Sequence, residues 1–126
     1  MRTRWSHYKS LLDSVALSIV ETDLTGRIID CNPVLANLLR SGPEKIKHRK
    51  FSTLVSEKWR SKEIASSAEV LERGSTDEYE IELVKEDGTV FPVAIKKWLQ
   101  NNRYGKAQKI WMLVRDITDK KRNGDA

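Results

Sequence analysis

The side chains able to do chemistry in this chain are few, and their spacing argues against catalysis. There are two histidines, His7 and His48, and one cysteine, Cys31. An imidazole works as a general acid or base only where a pocket holds it within reach of a reacting group. His7 falls in a segment with helical periodicity near the start. His48 falls in the basic run Lys45, Lys47, His48, Arg49 and Lys50. Nothing in the sequence brings either to a nucleophile. No Ser-His-Asp set, no His-Glu-x-x-His and no glycine-rich phosphate loop is present. Asp23, Asp30 and Asp87 sit at turns or strand ends, where they have structural reasons to be. A single cysteine excludes an internal disulfide and a Cys-based zinc site. Haem needs an axial ligand, usually histidine, and neither histidine is placed to serve. The sequence predicts no catalytic residue and no metal ligand.

The elements around these residues are legible from periodicity. Arg4 to Val15 reads as a short amphipathic helix, with Trp5, Tyr8, Leu12 and Val15 on one stripe and Leu11 widening it. Leu17 to Thr22 is a strand, Asp23-Leu24-Thr25-Gly26 a turn with glycine last, and Arg27 to Cys31 a returning strand. Asn32 is a suitable N-cap and Pro33 a suitable first residue for a helix running to Arg40, which Ser41-Gly42-Pro43 stops. Glu44 to Ile46 can form one turn. Phe51 and Leu54 read as core anchors. Glu57 to Arg73 reads as one longer helix, with Ile64, Ala68 and Leu71 on its buried face and Gly74 as its stop. Glu78 to Leu83 alternates as a half-buried strand does. Asp87-Gly88 is a hairpin turn, followed by strands Val90 to Leu99 and Gln108 to Arg115 around a loop at 100–107. Pro92 implies an edge or a bulge. Asp116 or Thr118 can cap an exit helix reaching Arg122.

The bulk numbers bound the class. A chain of 126 residues is one domain. A hydrophobic fraction of 39% and a charged fraction of 33% fit a soluble globular protein. No apolar run approaches the ~20 residues of a membrane span, and Met1-Arg2-Thr3-Arg4 lacks the apolar stretch of a secretory signal. A cytoplasmic location is the simplest expectation. The net charge of +5 raises nucleic acid as a partner. However, the basic run is not interleaved with aromatics as a stacking platform would be, and a solvated loop accounts for it.

The order of helix, two strands, helices and three strands predicts an α+β fold, a five-stranded antiparallel sheet with helices on one face. The Asp23-x-x-Gly26 turn, the Asn32-Pro33 helix start, the Asp87-Gly88 hairpin and the closing Asp116-Ile117-Thr118 occur in the order and spacing of the PAS family, which the chain resembles over roughly residues 15–122. The resemblance implies a non-catalytic sensor and dimerisation module that controls a linked effector, such as a histidine kinase or a diguanylate cyclase. It divides the chain into 1–14, an amphipathic cap or dimerisation helix packed on the sheet's other face; 15–118, the PAS core; and 119–126, the start of a signalling linker. Asp116, Ile117 and Thr118 then form the output joint.

Strand alternation assigns the two sheet faces. Val20, Thr22, Ile81, Leu83, Val93, Ile95, Ile110, Met112 and Val114 share one face, joined by Ile29 and Cys31. That face would meet Leu38, Leu54, Ile64, Ala68 and Leu71, and a ligand held there would be small and apolar, or a flat cofactor gripped through backbone groups. A ligand-free module with a filled core is the alternative. Ile19, Trp98, Trp111 and Leu113, with Ala94, point the other way, where the Trp5, Tyr8, Leu11, Leu12 stripe would cover them and build a homodimer. Relatives that form a flavin photoadduct carry a reactive cysteine in Asn-Cys-Arg on a helix. Cys31 lies on a strand, which argues against covalent flavin chemistry, and His7 and His48 argue against haem.

Overall fold

A computed structural model describes residues 17–119. The predicted N-terminal helix, with Trp5, Tyr8, Leu11 and Leu12, and the course of the exit helix to Arg122 lie outside the described residues. Strands β1 (Leu17–Thr22), β2 (Ile28–Cys31), β3 (Tyr79–Val84), β4 (Val90–Asn101) and β5 (Ala107–Asp116) are interrupted by helices α1 (Pro33–Leu39), α2 (Pro43–Ile46) and α3 (Arg60–Arg73). Short 3-10 turns cover Phe51–Leu54 and Glu57–Trp59. The sheet order is β2-β1-β5-β4-β3 and every neighbouring pair is antiparallel. The predicted α+β class and five-stranded antiparallel sheet are what the structure has. One core joins the inner sheet face to Leu35, Leu39, Ile46, Phe51, Leu54 and Val70 from the helical segments.

Local chemistry closes the β1–β2 hairpin. Asp23 Oδ1 accepts hydrogen bonds from Thr25 N at 2.9 Å, Thr25 Oγ1 at 2.6 Å and Arg27 N at 3.0 Å. Gly26 follows at φ +89°, a left-handed conformation that glycine adopts without steric cost. Partial burial pushes the Asp23 carboxyl up, but the bonds from Thr25 and Arg27 outweigh it and hold the group below its ordinary value.

Four expectations are corrected by packing. First, β1 and β2 carry a bulge. Glu21 faces Asp30 and Thr22 faces Ile28, which leaves Ile29 as the extra residue. Ile28 is fully buried, whereas Ile29 is turned outward at 43% exposure. Cys31, opposite Val20, stays half-buried against the core. Second, Asn32 precedes α1 but makes no side-chain cap. Its Oδ1 accepts from Ile19 N at 3.1 Å and its Nδ2 donates to Leu17 O at 2.9 Å, so the amide extends the β1 ladder. Losing both bonds, one buried and one partly buried, costs about 2 kcal/mol, above the ~1 kcal/mol of a cap.

Third, Pro92 lies in β4, an inner strand, rather than at an edge. It sits just past the last β5 pairing, Val93 with Asp116, and its carbonyl accepts from Ile117 N at 3.1 Å. No strand is there to need the missing N–H. Fourth, the predicted Glu57–Arg73 helix is a 3-10 turn followed by α3, and α3 buries a different face. Ile64 is 60% and Leu71 44% exposed, and Ala68 is exposed too. Glu63, Ser66 and Val70 point inward instead. Gly74 does stop the helix, at φ +87° with its N–H on Val70 O.

The depressed Asp23 carboxyl predicts an acid dependence. Its folded value lies below 3.8, so the stability it contributes is present above pH 3.8 and is lost as pH falls through the folded value. Asp23→Asn should lower stability at neutral pH, and the gap to wild type should close on acidification below pH 3.8. Urea unfolding across a pH series measures this. A gap independent of pH would show that the carboxylate charge is irrelevant to the turn.

Candidate functional site

A cavity of about 250 Å³ lies between the inner face of the sheet, the β1–β2 turn and α3. Thr22, Lys97, Ile110 and Met112 line it from the strands, Thr25, Gly26, Lys50, Phe51 and Ser52 from the turn and the 3-10 segment, and Glu63, Ile64 and Ser67 from α3. Thr22 is 1% exposed and its hydroxyl donates to Asp23 O at 2.9 Å. Phe51, Ile110 and Met112 supply an apolar wall.

The opposite wall is ionic. Lys97 projects inward from β4, and both it and Glu63 are 2% exposed. Lys97 Nζ is bonded to Glu63 Oε2, to Ser66 Oγ at 2.9 Å and to Ser67 Oγ at 3.0 Å. Its three N–H groups therefore meet three acceptors. The Tyr79 hydroxyl donates to Glu63 Oε1 at 2.8 Å, and the backbone N–H of Lys97 donates to Thr76 Oγ1 at 3.1 Å. Burial lowers the readiness of Lys97 to hold its proton, with Glu63 opposing. Burial, and then the Glu63 carboxylate, push the Tyr79 phenol well above its ordinary value.

This network explains the rotation of α3. An unpaired buried ammonium costs several kcal/mol. Burying an isoleucine or leucine side chain gains only about 1.5–3 kcal/mol. The helix therefore turns its carboxylate and serines to Lys97 and leaves Ile64 and Leu71 outside. The polar wall was not anticipated, although a signal existed. The alternation Val93, Ile95 continues to Lys97, and Glu63, Ser66 and Val70 repeat at helical spacing.

Of the residues expected on the inner face, Thr22, Ile110 and Met112 line the cavity. Val20, Ile81, Leu83, Val93, Ile95 and Val114 are packed core around it. On the outer face Ile19 and Ala94 are buried, and Trp98, Trp111 and Leu113 are half-buried. Trp98 lies directly opposite Trp111, and Ile19 opposite Leu113. Among the described residues, no histidine lines the cavity. His48 is exposed and donates its backbone N–H to Ile28 O. The basic residues near it are partly neutralised, Lys45 by Glu86 at 2.7 Å and Lys47 by Asp30 at 3.7 Å. At the end of β5, Asp116 Oδ1 accepts from Thr118 N at 2.9 Å and Thr118 Oγ1 at 2.5 Å, while Ile117 is buried. Among the described residues, no helix is long and apolar enough to cross a membrane.

The PAS domain family model matches residues 14–119. No curated protein matches the sequence. Among solved structures, the PAS domain of a protein from Colwellia psychrerythraea superposes with a TM-score of 0.79 at 22% identity, covering 91% of this chain and 98% of that one. A sensory box histidine kinase/response regulator from Burkholderia thailandensis gives 0.74 at 15% identity, covering 94% and 89%. A domain of a sensory box sensor histidine kinase/response regulator from Geobacter sulfurreducens gives 0.72 at 19% identity, covering 90% and 94%.

The ion pair makes a direct prediction. Lys97→Met strands the Glu63 carboxylate in the core and should cost about 3–5 kcal/mol in urea unfolding. Adding Glu63→Leu should recover most of that loss, because the double variant buries no unpaired charge. Equal stability of the single variant and wild type would contradict the network.

Proposed function

Because the chain belongs to the PAS domain family, we propose that it is a sensory module whose inner cavity takes a small ligand and whose outer sheet face and C-terminal joint carry the response to a linked effector. The observation that supports this best is the position of Lys97. It forms the cavity's polar wall, and the next residue, Trp98, stands on the opposite face of β4 against Trp111. A ligand that shifts Lys97 shifts the β4 backbone, and the change reaches the tryptophan pair without crossing a loop. An aliphatic core with no cavity would favour a ligand-free interaction module instead. The domain itself is non-catalytic in this reading. The names of the histidine-kinase neighbours favour a kinase as effector over a diguanylate cyclase.

On this reading residues 1–14 form the cap and dimerisation helix, 15–118 the sensing core and 119–126 the start of the linker. Half-buried Trp98, Trp111 and Leu113, beside Ile19, form an apolar surface that suits the Trp5, Tyr8, Leu11, Leu12 stripe of the same chain or of a second copy. Buried aromatics dominate such contacts, at about 2 kcal/mol or more each. The intact chain should therefore sediment as a dimer, and a chain lacking residues 1–14 as a weaker one. Monomers of both at high concentration would rule out self-association as the output.

The joint is tested separately. The bonds from Thr118 to Asp116 fix where the backbone becomes helical, at Thr118–Asp119. Their loss costs ~1 kcal/mol, small beside a domain stability of ~5–15 kcal/mol. In a chimera with a kinase fused after Arg122, Asp116→Ala should change basal or stimulated output while the melting temperature moves little. An unchanged output in a folded chimera would show that Asp116 merely ends a strand.

A further inference from the structure

We propose that the cavity is built for a ring-bearing ligand that donates a hydrogen bond inward through an O–H or N–H, and not for one that enters carboxylate first. This rests on the sensor reading and narrows it to a ligand class.

The balance of donors and acceptors on the buried wall carries the inference. Every donor there is spent. Lys97 uses its three N–H groups on Glu63, Ser66 and Ser67. The Thr22 hydroxyl proton goes to Asp23 O, and the Ser67 hydroxyl is directed at Glu63 O. Acceptor capacity is left over. An ionised carboxylate accepts about four hydrogen bonds, and Glu63 receives one from Tyr79 and one from Lys97. A hydroxyl oxygen has two lone pairs, and that of Thr22, which lines the cavity, receives no hydrogen bond from the described residues. The complement of such a wall is a donor.

A carboxylate directed inward would need a proton donor from this wall. Only Lys97 could supply one, by leaving Glu63, which would then be a buried charge beside a second like charge. Lys50 is exposed and Ser52 half-buried at the lining, and an ammonium or a hydroxyl within reach of water offers the inner end of a ligand little. The apolar part of the lining, Phe51, Ile64, Ile110 and Met112, suits an apolar body. A cavity of roughly 150 Å³ holds benzene, so the volume of about 250 Å³ here admits a substituted ring or a fused bicycle. Haem and flavin are larger than this space.

Indole and N-methylindole differ in the single donor and in little else. Calorimetric titration of the full chain with indole, N-methylindole and benzoate tests the proposal. Indole should bind, N-methylindole should bind about tenfold more weakly, and benzoate should bind more weakly than indole. Thr22→Val should narrow the ratio between the two indoles. Ile110→Trp, which fills the cavity, should abolish binding. Should that variant fold poorly, nuclear Overhauser contacts from indole to the Ile110 and Met112 methyl groups of the wild type locate the site. Equal binding of the two indoles, or tighter binding of benzoate, would overturn the donor proposal and leave the sensor reading standing. Binding by none of the three would overturn both. Indole contacts away from Ile110 and Met112 would overturn the proposal by placing the ligand elsewhere.

Discussion

A lysine ammonium buried in a protein core has to find acceptors, and in this chain that requirement organises one half of the molecule. Lys97 is carried inward by the pleat of β4 between residues that could hardly be more apolar, Ile95 and Leu99. Glu63, Ser66 and Ser67 supply the acceptors, all from α3. Tyr79 then donates to the other oxygen of the Glu63 carboxylate from β3. One side chain thus ties the long helix to two strands. A polar wall also cannot collapse onto aliphatic neighbours as a hydrocarbon wall would, which is a physical reason for a cavity to persist there.

The other half of the molecule is held by shorter-range chemistry. Asp23 gathers the backbone and hydroxyl of Thr25 and the N–H of Arg27. Asp116 repeats the motif on Thr118 at the far end of the chain. Asn32 completes the ladder of β1 where β2 has ended. Each device sets the direction in which the chain enters or leaves the sheet, so the central strands β1 and β5 are fixed at their ends as well as along their lengths. The sheet is the shared wall of the cavity and the tryptophan face, which is why a rigid frame matters to the proposed signal.

The parts of this architecture that sequence made legible were those governed by neighbours in the chain. Strand alternation placed Ile81, Leu83, Ile110 and Met112, and turn chemistry placed Gly26, Asp87-Gly88 and Gly74. What it missed depended on partners distant in sequence. The stripe Ile64, Ala68, Leu71 is the more apolar face of α3, yet the buried face is the one that satisfies Lys97, thirty-odd residues further on. The bulge at Ile29 is invisible to strict alternation, which put Ile29 where Ile28 belongs. Asn32 was recognised as a helix-start residue, but its side chain serves a strand that lies before it. The inward position of Lys97 could have been read from Val93 and Ile95, and it was the residue that mattered most.

The core holds a fixed ammonium, bonded through all three N–H groups, that faces a cavity. NMR detection of lysine side-chain ammonium groups tests it most directly. Solvent exchange is too fast for surface lysines to be seen at neutral pH, whereas a buried ammonium with all three N–H groups bonded exchanges slowly. One slowly exchanging signal is expected, which disappears in Lys97→Met and shifts when a ligand fills the cavity. Exchange at Lys97 as fast as at the surface lysines would contradict it.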